Sequence, residues 1–259
     1  MQTKLPLREL NFFYMLAFLM SGVLYGGSTL LSQTISLPKI ETILITTMAA
    51  QWAPALAAIF TNLRFKNRPK PGSFRPHISL ILLPLAPVLT ITAQHFLLER
   101  LGSPYRESEF FTGPGLIILS VVTTIIGSVG EEIGWRGYLF PRLKRYIRPW
   151  QASLWVGLLW GVWHFTKIFT GGFGFYLTFI LSTIPLGFII AYINEKSGRS
   201  IVPGILYHTV LNLLFMYFLY ERERSAGHFV ILAVMTVFIL LIRLIDPAYF
   251  RREAETTKI

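Results

Sequence analysis

The chain has 259 residues, 53% of them hydrophobic and 14% charged, with a mean hydropathy of +0.54, which excludes an ordinary soluble domain with a hydrated surface. The absence of cysteine excludes disulfide frameworks, cysteine-ligated zinc, iron–sulfur clusters and thiol nucleophiles, leaving carboxylate, imidazole, hydroxyl and amide groups for any chemistry. The net charge of +11 does not point to nucleic acid, because the basic residues fall between apolar stretches, where membrane topology accounts for them.

A charged side chain at the bilayer centre costs at least about 2.5–3.5 kcal/mol, so charge-poor windows mark membrane spans. In chain order they cover residues 10–36, 42–63, 77–98, 110–130, 150–165, 168–194, 201–220 and 227–242, which predicts eight helices. The first window lacks a small-residue cleavage site within signal-peptide range and is too long for an h-region, so it is expected to remain as a helix. Lys and Arg concentrate in alternate connections, above all in Arg64, Lys66, Arg68, Lys70 and Arg75 and in Arg142, Lys144, Arg145 and Arg148. By the positive-inside rule both termini are expected in the cytoplasm, with these clusters acting as headgroup anchors rather than substrate contacts. No extramembrane stretch is long enough to fold alone, and no internal repeat, low-complexity tract or lipidation motif stands out. The expected fold class is all-α, a polytopic membrane helix bundle of about eight transmembrane helices forming a single domain over residues 1–259.

Against this apolar background Glu131, Glu132 and Arg136 follow directly on an uncharged stretch. If one helix runs from near Gly115 to about Arg142, Glu131 lies about 16 Å below the cytoplasmic interface. Glu132 and Arg136, at i and i+4, share a helix face and neutralise each other, whereas Glu131 is rotated about 100° away and lacks a local counter-charge. A carboxyl group buried in that way has the property wanted in a general base working near neutral pH. The plain alternative is that residues 131–136 only form the cytoplasmic end of a span.

Two further intramembrane polar positions are of the right kind: His164, and His208 with Asn212 at i, i+4. Intramembrane ionisable residues are functional-site candidates by default, although a single histidine is often just hydrogen-bonded to a backbone carbonyl. His208 and Asn212 lie on one helix face, as two donors to one developing oxyanion must. Depth is a difficulty. His208 lies about 13 Å along its helix from Arg199, comparable with Glu131, but His164 lies about 24 Å from Arg148. The mismatch disappears if residues 142–149 form a partly sunken connection. His77, His95 and His228 fall at predicted helix ends and are set aside. The pairs Gly130/Gly134 and Gly157/Gly161 have small-xxx-small spacing, and close approach of the two helices that carry them would bring Glu131 to His164. Trp135, Trp160 and Trp163 are expected to pack or to wall a cavity.

The segments Glu131-Glu132-Ile-Gly-Trp-Arg136-Gly, Trp160-Gly-Val-Trp-His164 and His208-Thr-Val-Leu-Asn212 together resemble the CAAX protease and bacteriocin-processing family of intramembrane endopeptidases. Members share a double glutamate with arginine four residues after the second, an aromatic four before a histidine, and a histidine four before an asparagine or similar residue. The resemblance covers residues 110–220, taken as the catalytic core; Trp160 stands where phenylalanine is usual. It implies an eight-helix bundle with a polar cavity open to the cytoplasmic side of the cell membrane. There Glu131 and His164 would activate water, His208 and Asn212 would stabilise the oxyanion, and Glu132 with Arg136 would position the helix. The implied substrate is a membrane-associated peptide or lipidated protein, such as a prenylated CAAX protein.

No cofactor is expected, but a zinc site on Glu131, His164 and His208 stays open, with Glu132 as base; the His-Glu-x-x-His helix that would fix two ligands on one face is absent. The alternatives to an endopeptidase are a non-catalytic binding or bacteriocin-immunity protein using the same cavity, and a transporter or proton relay, against which the lack of paired broken helices speaks. A prenyltransferase would need aspartate-rich metal motifs, which are missing. The natural substrate and the oligomeric state are not encoded in any readable motif.

Overall fold

The computed structural model describes residues 5–66, 72–102, 108–218 and 225–255, and these are helical with no strand among them. The helices are α1 (Leu7–Thr34), α2 (Lys39–Gln51), α3 (Ala53–Phe65), α4 (Leu82–Arg100), α5 (Pro114–Glu132), α6 (Phe140–Leu143), α7 (Pro149–Trp163), α8 (Lys167–Lys196), α9 (Val202–Tyr217), α10 (Ser225–Ile245) and α11 (Pro247–Arg251). A 3₁₀ turn, Ile78–Ile81, leads into α4, and a second, Glu109–Phe111, precedes α5.

All eight charge-poor windows are occupied by helix. Among the described residues six segments are long and apolar enough to cross a membrane: Leu7–Thr34, Lys39–Phe65, Ile78–Arg100, Pro114–Leu143, Lys167–Lys196 and Ser225–Ile245. The other two windows hold α7 and α9, of 15 and 16 residues. At 1.5 Å per residue these reach about 22–24 Å, short of a 30 Å hydrocarbon core. Large apolar side chains face outward, Met15 and Leu244 with 72% and 77% of their surface exposed, as a lipid-facing surface requires. The chain is a multi-pass membrane protein built as a polytopic helical bundle.

Proline and glycine set the breaks that shape the bundle. Pro54 has no N–H and its ring meets the carbonyl four residues back, so the second span divides at Trp52 into α2 and α3. In α8 Gly172 takes φ +80°, a left-handed conformation open to glycine, and kinks the helix. The helix carrying the double glutamate does not run on regularly to Arg142: residues Ile133–Leu139 form a π-helix, whose wider turn re-aims the side chains that follow.

The glycine pairs allow close packing, but not between the helices expected. A Cβ on Gly130 would lie 2.7 Å from the carbonyl oxygen of Gln51 and 2.9 Å from Cα of Trp52, so this face of α5 is closed by the α2–α3 break. Gly134 faces Pro54 in the same way. On α7, a Cβ on Gly157 would lie 2.6 Å from the carbonyl oxygen of Thr183, so α7 is pressed on α8. Small residues therefore draw each helix to a different neighbour, because the glycine faces of α5 and α7 do not point at one another.

The basic cluster around Arg142 also differs from expectation. Arg142 and Lys144 are buried, with 1% and 4% of their surface exposed. Arg142 is ion-paired with Glu9 of α1 and donates to Asn62 Oδ1 at 2.7 Å. Lys144 pairs with Glu195 at 2.7 Å and with Glu255 at 3.3 Å. These two side chains tie the first helix and the C-terminal residues to the bundle, and are not headgroup anchors. Arg64 and Lys66 stay at the α3 terminus, while Arg68 and Lys70 lie outside the described residues. Because Arg142 and Lys144 are held by carboxylates inside the protein, they are not markers of the membrane interface, whereas Arg148, from which the depth of His164 is measured, is exposed.

Candidate active site

Glu131 and Glu132 are adjacent at the C-terminal end of α5, fully buried, and turned to different neighbours. Both oxygens of Glu131 accept hydrogen bonds. Gln51 Nε2 donates to Oε1 at 2.8 Å, and Trp160 Nε1 donates to Oε2 at 2.5 Å. Glu132 Oε1 accepts from Arg136 Nη1 at 2.7 Å and from His208 Nδ1 at 3.1 Å. The i, i+4 pair thus closes although Arg136 sits in the π-helix. Arg136 also lies over the Trp160 ring, 4.7 Å from its centroid, which covers a buried guanidinium with an aromatic face.

Trp160 links the groups. It donates to Glu131, stacks under Arg136 and meets the His208 ring edge-on with centroids 5.1 Å apart. Its carbonyl accepts from His164 Nδ1 at 2.9 Å, at the residue where α7 ends. A carbonyl only accepts, so this bond puts the proton of a neutral His164 on Nδ1 and leaves Nε2 as an acceptor. Asn212 follows His208 by one turn of α9.

Glu131, His164, His208 and Asn212 all line one cavity of 260 Å³, whereas Glu132 and Arg136 sit behind its wall. Apolar side chains, among them Leu44, Leu98, Phe215 and Met216, line the remainder. A carboxylate and an acceptor imidazole, with a second imidazole and an amide lining the same partly open cavity, can remove a proton from water and donate to a carbonyl oxygen. The set does not fit a metal ion. Among the described residues no three His, Asp or Glu side chains are grouped to hold one. Both Glu131 oxygens already face N–H donors, and His208 turns Nδ1 to Glu132.

The structure adds residues that sequence reasoning did not single out. Gln51 reaches the site from the α2–α3 break, far away in the chain and with no local signal. His228, set aside as a helix-end histidine, lines the same cavity: its Nδ1 lies 3.2 Å from Ser182 Oγ and its ring 5.2 Å from that of Phe179. Phe179 also meets His164 at 4.9 Å and lies under Lys167 at 4.5 Å. Position in its own helix hid His228, because the packing of the start of α10 on Ser182 and Phe179 of α8 is a contact between distant segments that no sequence window encodes.

Fold and cavity together define a polytopic helical membrane protein with one carboxylate, imidazoles and an amide facing a shared internal space. Residues 113–214 match the family model described as type II CAAX prenyl endopeptidase, Rce1-like. Over 110 residues the chain is 34% identical to a protein named CAAX prenyl protease 2 from Methanococcus maripaludis, an alignment covering 39% of each chain. The match thus spans well under half the length of that curated relative. The segment matched by the family model, 113–214, runs from α5 into α9 and holds all three motifs, and both comparisons support the family resemblance read from those motifs.

Proposed function

We propose that this chain is an intramembrane endopeptidase that hydrolyses a peptide bond in a membrane-associated peptide or lipidated protein, a prenylated CAAX-type terminus among the candidates. The observation that carries the reading is the meeting of Glu131, His164, His208 and Asn212 around one cavity. In this mechanism Glu131, with Nε2 of His164, takes a proton from water as its oxygen attacks the scissile carbonyl. An imidazolium at His208 donates Nδ1–H to Glu132 and Nε2–H to the oxyanion, joined by the Asn212 amide. Collapse of the tetrahedral intermediate breaks the C–N bond, and the proton held by Glu131 passes to the leaving amine. Glu132 and Arg136 hold the His208 side of the site.

The reaction is read as metal-free, since Glu131 is engaged by two N–H donors and the donor set does not fit an ion. Activity undiminished by 1,10-phenanthroline is the expected result. The protein is placed in the cell membrane with the bilayer as its surroundings, termini cytoplasmic and the cavity reached from that side, on the distribution of Lys and Arg. The test compares protein termini in membranes carrying the wild type or Glu131→Ala at equal abundance. New termini found only with the wild type support proteolysis and name the substrate. Identical termini with a host phenotype still rescued by Glu131→Ala would overturn it in favour of a binding or immunity role.

A further inference from the structure

The matched segment begins at residue 113, yet half of the hydrogen bonding to Glu131 comes from outside it. Gln51 is the last residue of α2, at the point where Pro54 interrupts the second span. A helix end is where a side chain can leave the regular face, and this one is aimed across to α5. Its approach depends on the absence of side chains opposite. A Cβ on Gly127 would run into the Gln51 amide, and one on Gly130 would lie 2.7 Å from its backbone carbonyl oxygen. The break at Trp52, the glycines on α5 and the amide at 2.8 Å from Glu131 Oε1 form one arrangement.

We propose that Gln51 is a positioning residue for Glu131, and that the α2–α3 break seats its amide against the glycine face of α5 to hold that carboxylate. Two N–H donors, one on each oxygen, define the plane of a carboxylate; with Trp160 alone the group can swing about its Cγ–Cδ bond. A base aimed at a water molecule loses rate when its orientation is loosened, while substrate binding in the apolar part of the cavity is untouched. The inference rests on the role proposed for Glu131 but is tested separately from it.

Two variants remove the contact in different ways. Gln51→Met keeps length and volume without the donor, and Gly127→Ala displaces the amide from the other side while keeping the Gln51 side chain and leaving Glu131, His164, His208 and Asn212 unsubstituted. One readout needs no substrate: labelling of Glu131 by dicyclohexylcarbodiimide in detergent-solubilised protein, followed by mass spectrometry. With one oxygen uncovered, labelling is expected to rise several-fold in both variants, with thermal unfolding of Gln51→Met close to wild type. The second readout is turnover of an internally quenched farnesylated CAAX peptide, where kcat is expected to fall about tenfold or more with KM within about twofold. Unchanged labelling in both variants overturns the proposal, as does a kcat equal to wild type in both. Absence of turnover by the wild type itself counts against the proteolytic reading, while the labelling still decides whether Gln51 holds Glu131.

Discussion

Trp160 Nε1 donates to Glu131 Oε2 at 2.5 Å, joining α7 to α5 across a boundary at which the glycine faces of these two helices do not meet. The two motifs are therefore connected by a side chain rather than by backbone contact. Trp160→Phe keeps an aromatic ring under Arg136 and beside His208 but removes the donor. A hydrogen bond to a charged group contributes about 1.5–3 kcal/mol, and each 1.4 kcal/mol is tenfold in rate. Peptide turnover by Trp160→Phe is expected to fall about tenfold to a hundredfold, with thermal unfolding little changed; full activity would show that this bond does not serve Glu131.

Glu132 shares one oxygen between Arg136 and His208 in a fully buried setting. Glu132→Gln leaves the Arg136 guanidinium without its neighbouring charge, and removing one partner of a buried pair costs about 3–5 kcal/mol. The double variant Glu132→Gln, Arg136→Met removes both charges, so its thermal unfolding is expected to recover most of the loss seen in the single variant. A single variant as stable as the wild type would mean that the pair carries no such weight.

Gly157 and Gly22 offer a contrast in stability. A methyl group at Gly157 meets the Thr183 and Ile184 backbone of α8, whereas nothing lies within 4 Å of one at Gly22 in α1. Overpacking costs about 1–3 kcal/mol, while replacing glycine by alanine inside an open helix gains about 0.5–1 kcal/mol. Gly157→Ala is expected to unfold at lower temperature and Gly22→Ala at the same or a higher one.

Asp246, between α10 and α11, accepts from Lys196 at 2.5 Å and from the Tyr192 hydroxyl at 3.1 Å. Burial by itself would raise its titration, but the contacts with Lys196 and Tyr192 outweigh it and hold the carboxyl below its ordinary range. A carboxyl lowered on folding adds stability that is present above its unfolded value and lost as pH falls through the folded one. Asp246→Asn is therefore expected to unfold below wild type at pH 7, with the gap closing as the pH is taken below about 4. A gap of constant size across that range would exclude the ionic contribution.

Much of this protein was legible from local pattern. Charge-poor windows located every long helix, because a bilayer penalises charge within a span regardless of its neighbours. The same penalty exposed Glu131, Glu132, Arg136, His164, His208 and Asn212, and the i, i+4 rule paired Glu132 with Arg136.

What sequence by itself determined, then, is whatever depends on spacing within one helix or on the cost of charge in lipid: the all-helical class, the positions of the spans and the polar residues that stand out against them. Tertiary structure alone decided the rest. Arg142 and Lys144 read as surface anchors until Glu9 and Glu195, distant in the chain, were seen to meet them inside. Gln51 carries no local signal and His228 only that of a helix-end histidine, and they reach the cavity because a proline break and the packing of α10 on α8 bring them there. Such placements are set by which helix packs on which, a choice made by small residues and side-chain shape between segments far apart in sequence, where no periodicity records it.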